Sequence, residues 1–307
     1  MLMNEDQYTN TTFMLPVSHG HELWVHDWGN KSAKTPIFFL HGGPGSQSKD
    51  KHKLSFDGKT QRVIFHDQRG SGQSIPTGKW HHNTTQDLAN DISAIADHLG
   101  IKKFIITGGS WGSTLALYYA IEHPDRVEAV VVHGVWFSSK AENEYMNNGE
   151  WRTHFPDLWD RYVSTVPKKY QANPSIYHFN RALGDNKVEA AESARIFGDM
   201  EAGLISLDDR HILTPAKDYD PASDLLEMRY MSHGSFIPDR YIPQNADKLT
   251  MPVHIVQGRY DFVCPPFAAY ELHRAVPHST LTWIASGHAT EHETITALSL
   301  IYRTLNT

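Results

Sequence analysis

Ser110 stands between glycines in GGSWG (108–112), where the strand-like run FIIT gives way to the helix-compatible stretch STLALYYAIEHP. This is Gly-x-Ser-x-Gly with a strand before it and a helix after it, the context in which a serine oxygen is held exposed above a sheet. The same residues also suit a serine N-cap in an ordinary tight turn. A serine hydroxyl is a poor nucleophile at neutral pH and needs a base oriented by a third group. On such a scaffold the partners follow in the order serine, acid, histidine. Asp261, in HIVQGRYDFVCP, lies just past a buried strand and is the candidate acid; an Asx turn ahead of Pro265 and Pro266 is its plainer reading. His288, in LTWIASGHATEHE, is the candidate base, again just past a strand and one crossover helix beyond the acid. His292 competes for that role but is expected further into the following helix.

Acyl transfer also needs donors for the developing oxyanion. The glycine-rich turn LHGGPGS (40–46) follows a strand directly, and its glycines let backbone N–H groups converge on a ligand. The N–H groups of Gly43 and of Trp111, next to the nucleophile, are the candidate donors. HGGPGS is neither Gly-x-Gly-x-x-Gly nor a P-loop, and no lysine follows at the required spacing, so nucleotide binding is disfavoured. The histidines contain no His-Glu-x-x-His pattern, and neither a metal nor an organic cofactor is called for.

Around these residues, short apolar runs alternate with helical patterns. TPIFFLHG, QRVIFHDQRG, KKFIITGG, VEAVVVHG and MPVHIVQG read as buried strands, and HELWVHDWG (21–29) as part of an edge hairpin. Leu88, Ile92, Ile95, Ala96 and Leu99 form one helical stripe that Gly100 ends. The pattern predicts an α/β fold, a mostly parallel sheet with helices on both faces. From 137 to 247 the alternation stops, and long helix-compatible stretches such as DNKVEAAESARIFGDMEAGLISL take over. The expected organisation is therefore a core of residues 1–136 and 248–307 with a helical cap of 137–247 over the strand ends.

Composition agrees. The chain has 307 residues, 40% hydrophobic and 21% charged, with a net charge of -7. That charge disfavours nucleic acid and suits a cationic ligand. The single cysteine, Cys264, excludes an intrachain disulfide framework and is expected to be a small buried hydrophobe. The start MLMNEDQYTN lacks the basic and apolar regions of a signal peptide, and no apolar run approaches the roughly 20 residues of a membrane span. A cytoplasmic location is expected, with no membrane partner; oligomeric state is left open, a homo-oligomer included.

HGGPG, DQRGSGQS (67–74), NTTQDLANDI (83–92), GGSWGSTLALYYA with its following HP, GRYD and SGH together resemble the proline iminopeptidase (prolyl aminopeptidase) family of α/β-hydrolases. The likeness spans nearly the whole chain. It implies that Ser110, Asp261 and His288 are nucleophile, acid and base, and that Gly43 and Trp111 are the oxyanion donors. It further implies an aminopeptidase acting on short peptides with a free N-terminus, typically proline, whose amine is held by cap glutamates. Those glutamates fall on Glu201 in FGDMEAG and Glu227 in LLEMRYMSHGSF, which could otherwise be solvated helix-face residues. Phe197 and Met200 replace two tryptophans of the family pattern, and Met228 and Arg229 replace a polar residue and a histidine. A methionine in the pocket wall implies that other small or apolar N-terminal residues are accepted as well. The alternatives are an esterase, amidase or lactonase on the same scaffold and, from another class, a non-catalytic binding protein. Dehalogenase and epoxide hydrolase chemistry use an aspartate where this chain has Ser110.

Overall fold

The computed structural model describes residues 7–205 and 219–305. Eight strands form one sheet: β1 (Tyr8–Pro16), β2 (Glu22–Asn30), β3 (Ile37–Leu40), β4 (Arg62–His66), β5 (Phe104–Ser110), β6 (Val127–Val135), β7 (Val253–Gly258) and β8 (Thr280–Ile284). Their order across the sheet is β1-β2-β4-β3-β5-β6-β7-β8. The pairs β1/β2 and β2/β4 are antiparallel and all others parallel. The run at 21–29 thus belongs to a hairpin but not to the edge, because β2 is paired on both sides. The edge is β1, YTNTTFMLP, whose mainly polar, exposed residues suit an unpaired strand border and hide it from an apolar-run reading.

Successive residues of the inner strands serve opposite faces, as the period of two requires. Phe38, Leu40, Phe104, Ile106, Val130, Val132 and Ile255 pack into one apolar cluster; Ile37, Phe39, Ile105, Ala129, Val131 and Val256 pack into another. Helices α1 (Thr85–His98), α2 (Trp111–Glu122) and, after β7, α9 (Pro266–Ala275) cover the first face; α10 (His292–Leu305) and the 3₁₀ segment Asp50–Ser55 lie on the second. Thr84 caps α1 through Asp87 N–H while the Asp87 side chain returns to Thr84 N–H, and Gly100 follows the helix at φ +67°. His292 is the first residue of α10, nearer the loop than its spacing suggested.

Between β6 and β7 every named element described is helical: α3 (Lys140–Asn147), α4 (Pro156–Ser164), α5 (Pro174–Ala182), α6 (Lys187–Ile205), α7 (Ala222–Ser232) and α8 (Tyr241–Gln244), with short 3₁₀ turns. The last residues of the stretch read as helical through Leu207 lie outside the described residues. These helices have their own apolar cluster, built on Trp151, Tyr162, Phe197, Met200, Leu204 and Met228. Trp136, Val263 and Cys264 join that cluster from the loops after β6 and β7, so it reaches the strand ends. No described helix is long and apolar enough to cross a membrane.

Candidate active site

Ser110 sits at the junction of β5 and α2 with φ 56° and ψ -131°, a positive-φ backbone conformation that L-residues adopt rarely. Its glycine neighbours are there for space. A Cβ on Gly108 would lie 2.4 Å from the Gly112 carbonyl oxygen, and one on Gly112 2.3 Å from that of Leu40. Ser113 braces the turn: its hydroxyl donates to the Ser110 carbonyl (2.6 Å) and accepts from Trp136 N–H (3.0 Å).

Asp261 and His288 meet beside it, from the loops after β7 and β8. His288 Nδ1 donates to Asp261 Oδ2 at 2.9 Å and lies 3.1 Å from Oδ1. Asp261 Oδ1 also accepts the N–H groups of Val263 (3.0 Å) and Cys264 (2.8 Å), so the Asx-turn role and the role as histidine partner coexist in one side chain. Gln257, a polar residue ending the apolar run of β7, binds the Cys264 carbonyl (3.0 Å) through Nε2 and accepts from Val135 N–H (3.0 Å). It ties the acid loop to β6 and was missed in the sequence; a glutamine buried at the end of an apolar strand is the signal that marks it. Burial, the largest influence on His288, pulls its pKa down, but the charge and hydrogen bond of Asp261, with Glu201 behind them, leave it above the ordinary value. Ser110 and His288 line one cavity, with no direct hydrogen bond between them.

Gly43 and Trp111 line a second cavity with Ser110. The relation of their two backbone segments is set by a buried polar chain. The Trp111 indole donates to Gln68 Oε1 (2.8 Å), Gln68 Nε2 donates to the His41 carbonyl (2.9 Å), and Gln68 N–H donates to His41 Nε2 (3.0 Å). His41 Nδ1 then carries the proton, 2.9 Å from the Gly42 carbonyl. Burial pushes the His41 pKa down, consistent with this neutral tautomer.

Glu201 on α6 and Glu227 on α7 point into that same second cavity. Glu227 is only 5% exposed. The two carboxyl groups lie close enough to act on each other's ionisation. Burial first, then the negative charge of neighbours including Asp224, raises the pKa of both. They are not solvated helix-face residues. The expected methionine wall is present, but its members differ. Met200 and Phe197 are buried in the cap's apolar cluster, Met200 beside Leu158 and Tyr162 and outside the lining of the glutamate cavity. Met146 from α3, Met231 from α7 and Trp136 from the loop after β6 line the cavity instead. Arg229 pairs with neither glutamate; its guanidinium stacks 3.6 Å from the Trp80 ring centre. Cys264 is buried as expected, and its Sγ lies 3.9 Å from Ser110 Oγ.

A sequence profile described as the alpha/beta hydrolase fold matches residues 35–290. A probable proline iminopeptidase of Leptolyngbya boryana is 35% identical over 288 residues, covering 90% of this chain and 88% of that protein. The proline iminopeptidase of Neisseria gonorrhoeae is 34% identical, with 89% of each chain covered. This chain belongs to the proline iminopeptidase family of α/β-hydrolases. The family's fold appears also in a solved structure, the Mycobacterium smegmatis proline iminopeptidase, with a TM-score of 0.62 at 19% identity over 96% of this chain and 99% of that one. A metagenomic epoxide hydrolase shares the fold at a TM-score of 0.66 and 18% identity, over 97% and 99% of the chains. As a member of the proline iminopeptidase family, the chain is an enzyme of the serine hydrolase type.

Proposed function

We propose that the protein is a serine aminopeptidase that releases N-terminal proline, and other small or apolar residues, from peptides through an acyl-enzyme. The observation that carries this reading is the placement of Glu201 and Glu227 in one cavity with Ser110, Gly43 and Trp111. An ammonium or secondary amine must lose water to enter such a cavity, and fixed carboxylates compensate for that loss. The relatives from Leptolyngbya boryana and Neisseria gonorrhoeae carry the same activity in their names. Met146 and Met231 give the cavity an adaptable wall, which supports the broader acceptance.

In the reaction, Glu201 and Glu227 hold the free amine and so set the register at one residue. Ser110 Oγ attacks the first carbonyl while His288 Nε2 takes its proton. Asp261 keeps the imidazole tautomer and stabilises its cation. Gly43 and Trp111 N–H groups receive the oxyanion. Protonated His288 then gives its proton to the departing amine, and water cleaves the acyl-enzyme by the same base. The buried, unpaired state of Cys264 fits a cytoplasmic location.

Hydrolysis of Pro-, Ala- and Leu-arylamides is compared with that of their N-acetyl forms and of p-nitrophenyl esters. Faster turnover of the free-amine arylamides is expected. Glu201→Gln should lower kcat/KM for prolyl arylamide by about 30-fold or more, the loss of one charged hydrogen bond, and leave ester cleavage within about threefold. Indifference to N-acetylation, with equal loss on both substrates, points instead to an esterase with a structural glutamate pair. Ser110→Ala should abolish labelling by a serine-directed phosphonate.

A further inference from the structure

Two cavities meet at Ser110, and they differ in what else they touch. The glutamate-lined one includes Gly43 and Trp111 but not His288; the other, of about 400 Å³, includes His288 but neither glutamate. On the aminopeptidase reading, on which this inference rests, the scissile nitrogen must lie where His288 can return a proton to it. The peptide continuing from that nitrogen therefore enters the cavity that His288 lines.

The chemistry of that cavity is defined by Phe39, Phe56, Leu298, Tyr302, His52 and His133. Its rings form a continuous wall: Phe39 to His52 at 4.7 Å between centres, Phe39 to Phe56 at 6.3 Å, and Phe56 to Tyr302 at 4.7 Å. The two histidines are uncharged at neutral pH. Burial pushes His52 down to about 3, and burial with the nearby charge of His288 pushes His133 down to about 4. His133 is packed against the elbow, since a Cβ on Gly109 would sit 2.2 Å from its Nε2. The charged side chains that reach the cavity, Lys51 and Glu291, belong to exposed residues. The volume falls within the roughly 300–1,000 Å³ of small-molecule sites.

We propose that this aromatic-walled cavity is the leaving-group subsite and that it makes the enzyme prefer substrates whose second residue has an aromatic or large aliphatic side chain. Burial of such a side chain against the wall stabilises the complex relative to glycine, where nothing fills it.

The test is kcat/KM for prolinamide, Pro-Gly-NH2, Pro-Leu-NH2 and Pro-Phe-NH2. Pro-Phe-NH2 should exceed Pro-Gly-NH2 by about tenfold or more. Thr290 is an exposed residue of the cavity's lining, so Thr290→Trp narrows the space with little demand on the core. It should cut Pro-Phe-NH2 cleavage about tenfold more than it cuts prolinamide cleavage, and an unchanged circular dichroism spectrum shows that the variant is folded. His52→Ala removes part of the wall and should lower the Phe-to-Gly ratio by about threefold. Equal cleavage of Pro-Gly-NH2 and Pro-Phe-NH2 overturns the subsite while leaving the aminopeptidase intact, as does a Thr290→Trp enzyme slowed alike on prolinamide and Pro-Phe-NH2. Cleavage of none of the four alongside turnover of a p-nitrophenyl ester overturns the aminopeptidase reading and the subsite with it.

Discussion

His288 is pulled in two directions, and the balance sets the pH at which the enzyme works. Burial alone would favour the neutral ring, but Asp261, hydrogen-bonded at 2.9 Å, raises the pKa above the ordinary histidine value of 6.5. The base must be neutral to take a proton from Ser110, so kcat/KM should be full above the raised pKa and fall as pH drops through it. In Asp261→Asn the larger raising charge and its hydrogen bond are gone, the smaller Glu201 charge stays, and burial, the largest influence, remains. The acid limb of the pH–rate profile should then move below 6.5, with kcat lower by about 10⁴-fold because the ring loses its fixed tautomer. An unmoved limb would assign that ionisation to another group. Cys264, close to both Ser110 and Asp261, is no rival nucleophile: burial first, then the Asp261 charge, raises its thiol pKa well above the ordinary value and keeps it protonated.

At the scale of elements, the strand-to-helix junctions carry the site, and most of them were readable. Ser110, Asp261 and His288, the proposed nucleophile, acid and base, each follow an apolar run of distinct length and composition, so their positions at the end of β5 and after β7 and β8 could be read from local pattern alone. What could not be read is what α6 and α7 present to Ser110. Both helices are apolar on several sides, and a periodicity that does not favour one face cannot say that Met200 of α6 turns into the cap while Met231 of α7 turns to the cavity. The edge strand β1 escaped for the opposite reason, since its polar residues give no burial signal. The DQRG motif proves to be a brace between elements. Arg69, with its side chain 0% exposed, makes a two-point pair with Asp91 of α1 at 2.7 Å and 2.7 Å and also binds the His82 carbonyl and Ser18 Oγ. Arg69→Met strands the Asp91 carboxylate in the core and should destabilise the fold by about 3–5 kcal/mol, read as a lower urea midpoint at an unchanged slope. Adding Asp91→Leu should recover most of that loss; if it does not, the bonds to His82 and Ser18 carry the stability.

For the molecule as a whole, sheet and cap play different parts. The sheet is packed on both faces by two continuous clusters; the helices between β6 and β7 have a third cluster that meets the core at Trp136, Val263 and Cys264, and Leu226 and Tyr230 of α7 with Ile242 of α8 enter the first cluster directly. Direct polar ties cross this boundary at several points: Tyr230 of α7 donates to Asn83 Oδ1 at 2.9 Å, Thr85 Oγ1 donates to the Ser235 carbonyl, Tyr241 donates to Glu122, Arg240 pairs with Glu271, and Ala289 N–H donates to the Ile205 carbonyl at 3.2 Å. The cavity between Glu201, Glu227 and Ser110 measures about 10 Å³, room for about one water and not for a pyrrolidine ring. Amide exchange in α6 and α7 should therefore be faster than in α2 of the free enzyme and should slow when a prolyl phosphonate occupies Ser110. Equal protection in both states would mean a rigid cap. On the proposed reaction, a prolyl residue is accommodated when α6 or α7 shifts to widen this cavity. Measured affinity is then the intrinsic affinity diluted by the fraction of molecules standing open, and the exchange rates of α6 and α7 report that same fraction.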